Sequence, residues 1–259
     1  MINTHLMEYA RNCNAGEEVN EVLVGPSSVL VILDNGKCAM AMHYLRVNSS
    51  SCAAAKGFEE IDYPSLSVQL NGKWQGKSAV QLISCLGNGD KLDESAAVAC
   101  VNALCSDYTG SVRIADFVDA LDLNPDSEAA IVGYFYPIIE RLRERVKKLY
   151  IFELIEHPDF LPVTMEDEIF PRCDAIICTG TTLVNSTFDD VNLKVTTGQQ
   201  FILTGPTVPI IPDVFKHTNV SVLAGSQVID AAGMKQGFLN GLHGRNLRPF
   251  MQKKMHRLR

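Results

Sequence analysis

Four short apolar segments in the second half of the chain each run into a glycine, and this repeat restricts the folds open to the sequence. They cover residues 129–133, 175–180, 201–205 and 221–225. Apolar runs without alternation are typical of strands buried on both faces, as in parallel sheets. A glycine at the end of a strand permits a sharp turn or a close approach to a ligand. Because open α/β sheets bind ligands at the carboxyl ends of their strands, we expect one loop-lined crevice here.

The rest of the second half alternates between strand and helix patterns. Strands are predicted at 129–133, 149–155, 175–179, 200–204 and 220–224, and helices at 137–148, 181–190 and 212–216. Repeated βα units indicate a parallel sheet with right-handed crossovers. We therefore predict an α/β domain over residues 111–259.

The first half reads as a smaller α+β domain over residues 1–110. A helix is predicted at 2–13, strands at 21–25, 28–33 and 37–44, and helices at 77–86 and 94–104. Asp34-Asn35-Gly36 is a strong hairpin signal between the last two strands. A polar stretch of low order is predicted at 48–52.

The composition limits the classes of partner that the protein is expected to bind. With 46% hydrophobic and 20% charged residues in a chain of 259, the sequence is globular, and its net charge of −7 argues against nucleic-acid binding. The basic residues 253–259 are predicted to be a solvated end rather than an anion contact. Without a signal-like or long apolar segment, we expect a cytoplasmic protein that does not bind membranes. The eight cysteines are then expected to be free thiols, mostly buried.

The most specific local motif is Gly180-Thr181-Thr182-Leu-Val-Asn185, in which a glycine turn links a strand to a helix. The first amides of such a helix are unpaired, so the motif predicts a cradle for an anion or carboxylate. The alternative is that Thr181 or Thr182 only caps the helix. The motif is neither a Walker A loop nor a Gly-x-Gly-x-x-Gly fingerprint.

Other residues near strand ends are weaker candidates. Gly205-Pro206-Thr207 is expected to shape the crevice rim, since proline lacks an amide donor. Glu153 lies near the end of the second predicted strand, where an acid can bind ribose or a cation, or can be a paired buried carboxylate. Asp174 lies at the opposite end of its strand and is read as structural. His157 and His243 are possible crevice residues, although a loop histidine is more often solvated.

The order of these motifs resembles the heavy-metal chelation family. The likeness rests on Val24-Gly-Pro26, Ala96 to Leu104, Ile131 to Pro137 and Phe152-Glu153. It extends through Asp174 to Thr187, Leu203 to Thr207 and Leu223-Ala-Gly225. The resemblance implies an enolase-N-terminal-like domain joined to a Rossmann-like domain, with a site between them. It also implies metal handling or metal-cofactor chemistry.

Carried over position by position, the resemblance implies eight site residues. They are Asn102, Glu153, Thr181, Thr182, Asn185, Gly205, Pro206 and Gly225. The chain departs from the family pattern at Tyr134 and Tyr136, where phenylalanine is expected, at Ser186, where glycine is usual, and at Cys38. The two tyrosines would add hydroxyl groups to the cleft.

Three functions remain open. The first is binding of a transition metal or a metal-bearing organic anion, such as a tetrapyrrole-like or pterin-like molecule, with Glu153 and His157 as weak metal candidates. Soft metals prefer thiolate and imidazole ligands, which favours the metal-bearing anion over direct chelation. The second is a metal-independent enzyme acting on a small anionic or nucleotide-like metabolite, with Glu153 as general base or ribose ligand. The third is a binding or regulatory module, as a possible homodimer.

Overall fold

The computed structural model describes residues 1–13, 16–45, 61–108, 110–113 and 117–259. The stretch predicted at 48–52 lies outside the described residues. The strands form two separate sheets, one of three strands and one of seven.

The first sheet and its helices belong to the amino-terminal half. The helices are α1 (Ile2–Cys13), α2 (Tyr63–Trp74), α3 (Ala79–Ile83) and α4 (Lys91–Leu104), and the strands are β1 (Val19–Val24), β2 (Ser28–Leu33) and β3 (Cys38–Met42). The strands are antiparallel in the order β1-β2-β3, and the predicted hairpin at Asp34–Gly36 is confirmed. Helix α2 was not predicted because its apolar residues follow no clear helical stripe.

The second sheet contains β4 (Val112–Arg113), β5 (Glu128–Val132), β6 (Lys148–Phe152), β7 (Ala175–Thr179), β8 (Gln200–Thr204), β9 (Val222–Val228) and β10 (Met251–Arg257). Their spatial order is β4-β10-β9-β8-β7-β5-β6, and β5 to β9 are parallel. Side chains on both faces of the central strands are buried: Ile176 and Leu203 pack into one core, and Ile177 and Ile202 into another. The predicted parallel sheet is confirmed.

The prediction for the basic residues 253–259 was wrong. Residues 253–259 were expected to be a solvated end, but β10 lies between β9 and β4 and pairs with both in antiparallel fashion. Its sequence carries little apolar signal because most of its side chains stay partly exposed and only Met255 is buried. Backbone pairing, which composition does not report, holds this strand in the sheet.

The helices of the second half are α5 (Tyr136–Arg143), α6 (Glu166–Ile169), α7 (Thr181–Val184), α8 (Phe188–Lys194), α9 (Pro212–Phe215) and α10 (Ala231–Leu239). The helix predicted at 181–190 is interrupted after one turn. Between α7 and α8, Ser186 has φ of +60°, and it is the one non-glycine residue with positive φ in the described parts of the chain. The departure at this position thus falls where the backbone favours glycine.

The predicted fold class is confirmed: a parallel α/β sheet domain follows a smaller α+β domain. The boundary at residues 110 and 111 stays a prediction. Among the described helices, none combines the length and the apolar character needed to cross a bilayer.

Candidate functional site

The order in which strands are added to the sheet reverses at β5, and a cleft lies at this point. From β5 the chain moves outward to β6, then returns to the other side of β5 for β7, β8 and β9. The carboxyl ends of β5 and β7 are therefore a topological switch point, where open α/β sheets bind ligands. A cavity of about 880 Å³ lies over these ends, and Met42, His43 and Tyr44 at the end of β3 line it from the first domain.

The cleft is long. Its lining includes Glu153, directly after β6, and Lys253 on β10, and five interstrand spacings separate these two strands. At about 4.8 Å per spacing, the floor measures about 24 Å from end to end. A site of this length suits an extended ligand better than a bare ion.

The Gly180–Asn185 loop reaches the cleft, but its amides are largely occupied. Thr181, Thr182 and Asn185 line the cavity. The Gly180 amide donates to Thr204 O at 2.8 Å, and the Thr181 amide donates to Thr179 Oγ1 at 3.2 Å. The prediction that these first amides are unpaired was wrong, because the preceding and neighbouring strands supply acceptors. A helix of one turn also has little dipole to offer an anion.

Two of the strand-end glycines make room for protein rather than for a ligand. A Cβ atom on Gly180 would lie 2.6 Å from Val208 Cγ2, and one on Gly225 would lie 2.7 Å from Val208 O. Val208 is buried, so the segment after Thr207 threads between the ends of β7 and β9. Gly225 also lines the cavity, together with Gly205 and Pro206, whereas Gly180 does not belong to its described lining.

Asn102 and Thr207 join the two domains. The Asn102 side-chain amide donates to Thr207 O at 3.0 Å, and the Met42 amide donates to Thr207 Oγ1 at 2.9 Å. Thr207 lines the cleft, while Asn102 faces a small cavity of about 30 Å³ behind it. This pair of hydrogen bonds fixes the rim loop against helix α4 and strand β3.

Glu153 is held rigidly at the cleft end. Its Oε1 accepts the Tyr134 amide at 3.0 Å, and its Oε2 accepts the Leu154 amide at 2.8 Å. Each oxygen keeps a second lone pair, so the carboxylate can still accept a hydroxyl or amine. His157 is not in the described lining of the cleft; its Nδ1 accepts the Asp159 amide at 3.2 Å and its ring packs on Phe160.

The β5 end presents an aromatic wall. Tyr134 and Tyr136 line the cavity and are 50% and 53% exposed, although large aromatic side chains are usually well buried. Tyr134 packs against Phe160 at a ring-centroid distance of 5.2 Å. Exposed rings beside a cleft suit the face of a planar ligand.

The opposite side of the cleft is basic, which the sequence patterns did not show. Arg245 and Arg248 lie on a 3₁₀ helix (Gly244–Phe250) that leads into β10, and Lys253 follows on β10 itself. In the part of the chain that the structure describes, neither arginine has a carboxylate within ion-pair distance. His243 precedes this helix and is not in the described lining.

The cleft lining also contains a buried carboxylate. Glu166 on α6 is 2% exposed, and its Oε2 accepts Lys194 Nζ of α8 at 2.8 Å. Burial raises the pKa of Glu166 above its ordinary value, and the Lys194 contact opposes the shift. Glu166, Lys194 and the exposed carboxylate of Asp190 all line the cavity. No sequence motif marked these residues.

The donor set does not fit direct chelation of a soft metal. Within the described ranges, no three His, Cys, Asp or Glu side chains are grouped as metal ligands. The described cleft lining contains no cysteine, and burial raises the pKa of Cys38 and of Cys178 to about 12. Protonated buried thiols are poor metal ligands, because the thiolate is the binding form. Oxygen, amide and guanidinium groups face the cleft instead.

Fold and site together define a two-domain α/β protein with a ligand-sized cleft at its switch point. Two family models, both described as putative heavy-metal chelation, match residues 116–257 and residues 7–105, and the chain belongs to this family. The chain is 28% identical over 160 residues to an uncharacterized protein of Methanocaldococcus jannaschii, a match that covers 60% of this chain and 62% of that protein.

Two solved structures share the fold. A protein of unknown function from Pyrococcus horikoshii has a TM-score of 0.78 at 20% identity, covering 99% of this chain and all of that one. A second, from Desulfitobacterium hafniense, has a TM-score of 0.76 at 17% identity, covering 98% of both chains. At these identities, the similarity supports a shared fold and carries no information about activity.

Proposed function

We propose that the protein binds an organic anion with a planar apolar body in the cleft between its domains. A heavy metal would then enter as part of that ligand, held by the ligand's own donor atoms. The observation that carries this proposal is the pair Arg245 and Arg248, which lack carboxylate partners in the described structure and line a mostly apolar cleft.

The size and walls of the cleft support the proposal. Small-molecule sites usually enclose about 300–1,000 Å³, and a volume near 880 Å³ lies in the upper part of that range. Tyr134 and Tyr136 offer ring faces to a planar body, and paired guanidinium groups recognise carboxylate or phosphate oxygens well. A metal-bearing tetrapyrrole-like or pterin-like anion has this combination of shape and charge.

The decisive experiment is native mass spectrometry of protein purified anaerobically without added ligand. We expect an organic adduct of defined mass on the wild type. The double variant Arg245→Ala/Arg248→Ala should lose it, because the ligand's acidic group loses its partners. Arg143→Ala, at the far end of α5 and outside the described cleft lining, is the matched control. An adduct retained by the double variant would place the ligand elsewhere.

Free metal ions provide the complementary test. Calorimetric titration with nickel, cobalt, zinc and ferrous ions should show no stoichiometric binding to ligand-free protein, since the grouped ligands are missing from the described residues. Tight binding of one ion per chain would overturn the view that the organic ligand carries the metal.

A second candidate, a metal-independent enzyme for a nucleotide-like metabolite, has one observation in its favour. Glu153 stands at the end of the second parallel strand, where an acid binds ribose hydroxyls in dinucleotide folds. An adduct with a nucleotide mass that Glu153→Gln abolishes would favour this candidate. We also propose a cytoplasmic location, which the free cysteines of the described residues support. A homodimer remains a prediction for sedimentation analysis.

A further inference from the structure

The charged groups of the cleft are sorted by position. The cations Arg245, Arg248 and Lys253 lie on the segment that leads into β10 and on β10 itself. The carboxylates Glu166 and Asp190 lie on α6 and α8, which connect β6 to β7 and β7 to β8. In the strand order, β10 is three positions from β7. The acidic groups therefore lie on elements attached to β6, β7 and β8, and the basic groups on β10 and the segment before it, while all of them line the same cleft.

The acidic end has an unmet hydrogen-bonding need. Glu166 Oε1 is buried and has no hydrogen-bond partner among the described residues, while Oε2 is taken by Lys194. Asp190 also has no ion-pair partner within the described chain. One ammonium facing two carboxylates leaves this end net negative. A buried carboxylate oxygen without a donor is unfavourable, and a donor group supplied from outside would relieve that cost.

We propose that the ligand carries a hydrogen-bond-donating or cationic group, such as an amine, at the end opposite its acidic group. The acidic group pairs with Arg245 and Arg248, and the donor group binds Asp190 and Glu166. This inference rests on the proposed function, because it assumes the same cleft and the same arginines. It narrows the ligand class from organic anions in general to amino-bearing or zwitterionic ones.

Relaxation of one side chain completes the contact. Glu166 lines the cleft, but its Oε1 atom is covered. Rotation of the terminal carboxylate torsion, which has broad minima, brings that oxygen toward an incoming donor. Asp190 is exposed and meets the donor without such a change. Both residues are therefore expected to contribute, Asp190 on entry and Glu166 after its carboxylate has rotated.

A matched pair of probes separates the two ends of the cleft. One probe is biphenyl sulfonate with an aminomethyl group para on the far ring, and the other has a methyl group there. Binding of each is measured by calorimetry to the full chain. The wild type should bind the amine probe about tenfold more tightly than the methyl probe, as expected for a hydrogen bond to a charged group.

Variants of the two carboxylates test whether they cause the preference for the amine probe. Asp190→Asn should reduce the preference for the amine probe, and Asp190→Asn/Glu166→Gln should abolish it, with folding checked by circular dichroism. Glu168→Gln is the control, since this exposed α6 carboxylate pairs with Arg172 and is not in the described lining. Equal binding of the two probes to the wild type, or a preference that survives the double variant, would overturn the inference.

The arginine variants keep the two ideas distinguishable. Arg245→Ala/Arg248→Ala should weaken both probes equally, because both carry the sulfonate. If both probes bind by way of the arginines but without amine preference, the proposed function stands and this inference fails. If neither probe binds, or if the arginine variant changes nothing, both fail.

Discussion

The close approach of Val208 to two strand ends gives the sharpest prediction about the fold of the site. Replacing Gly225 by alanine would place Cβ 2.7 Å from Val208 O and 3.0 Å from Ile210 Cδ1. Ordinary contacts are longer, so the segment after Thr207 must shift by several tenths of an ångström. Overpacking of this kind costs about 1–3 kcal/mol.

The lower entropy of the unfolded chain partly offsets this loss of stability. Replacing glycine by alanine restricts the unfolded chain and is worth about 0.4–1 kcal/mol of stability. We therefore expect Gly225→Ala to lower the free energy of unfolding by about 1–2 kcal/mol, and Gly180→Ala to do the same. Because both substitutions displace Val208, the double variant should differ from the sum of the singles by more than about 0.5 kcal/mol.

Urea unfolding followed by circular dichroism measures these changes. Gly72→Ala is the control: it lies in α2, has no atom within 4 Å of the added Cβ, and should gain up to about 1 kcal/mol. If Gly225→Ala is as stable as the wild type and only ligand binding suffers, these glycines serve the ligand and not the packing. Strict additivity of the two substitutions would refute their shared dependence on Val208.

Three further substitutions test the site and its supports. Ser186→Gly should raise the free energy of unfolding by about 1 kcal/mol in urea titration, since glycine relieves the positive φ; an unchanged or lower stability would contradict this. Asn102→Ala should cost about 1–3 kcal/mol and speed amide exchange at Met42, because the buried Thr207 carbonyl loses its donor; unaltered exchange would argue against the interdomain role. Glu166, whose pKa is raised by burial, contributes stability that is full below its ordinary pKa of 4.5 and is lost as pH rises through the higher folded value. The stability of wild type relative to Glu166→Gln should thus fall with rising pH in urea titrations, and a constant or rising difference would show the pKa direction to be wrong.

Most of the sheet could be predicted from sequence because its central strands are buried on both faces. Ile176 and Ile177, for example, pack into different cores, which requires the uninterrupted apolar run that marks β7. Strand β10 escaped prediction because backbone pairing fixes it while its side chains remain mostly polar. The break between α7 and α8 was not predicted either. Leu183 and Val184 are buried as in a continuous amphipathic helix, and the sequence gives no sign of the turn at Ser186.

The candidate site was only partly accessible to sequence reasoning. Residues directly after strands, such as Glu153 and Thr181, could be placed at the cleft because strand direction determines where they emerge. Arg245, Arg248 and Glu166 could not, because they lie on short helices far apart along the chain that reach the same cleft only in the folded protein. Residues that meet across such distances in the sequence leave no periodic pattern from which their proximity could be predicted.

The position of β10 has a consequence for how the cleft forms during synthesis. Every other strand of the large sheet precedes it along the chain, and it inserts between β9 and β4, which are more than a hundred residues apart. A nascent chain released as far as β9 would already have the aromatic wall and the acidic groups, but not Lys253. Arg245, Arg248 and Lys253 are therefore synthesised after the aromatic and acidic parts of the cleft lining, so the basic side of the cleft forms after the other two.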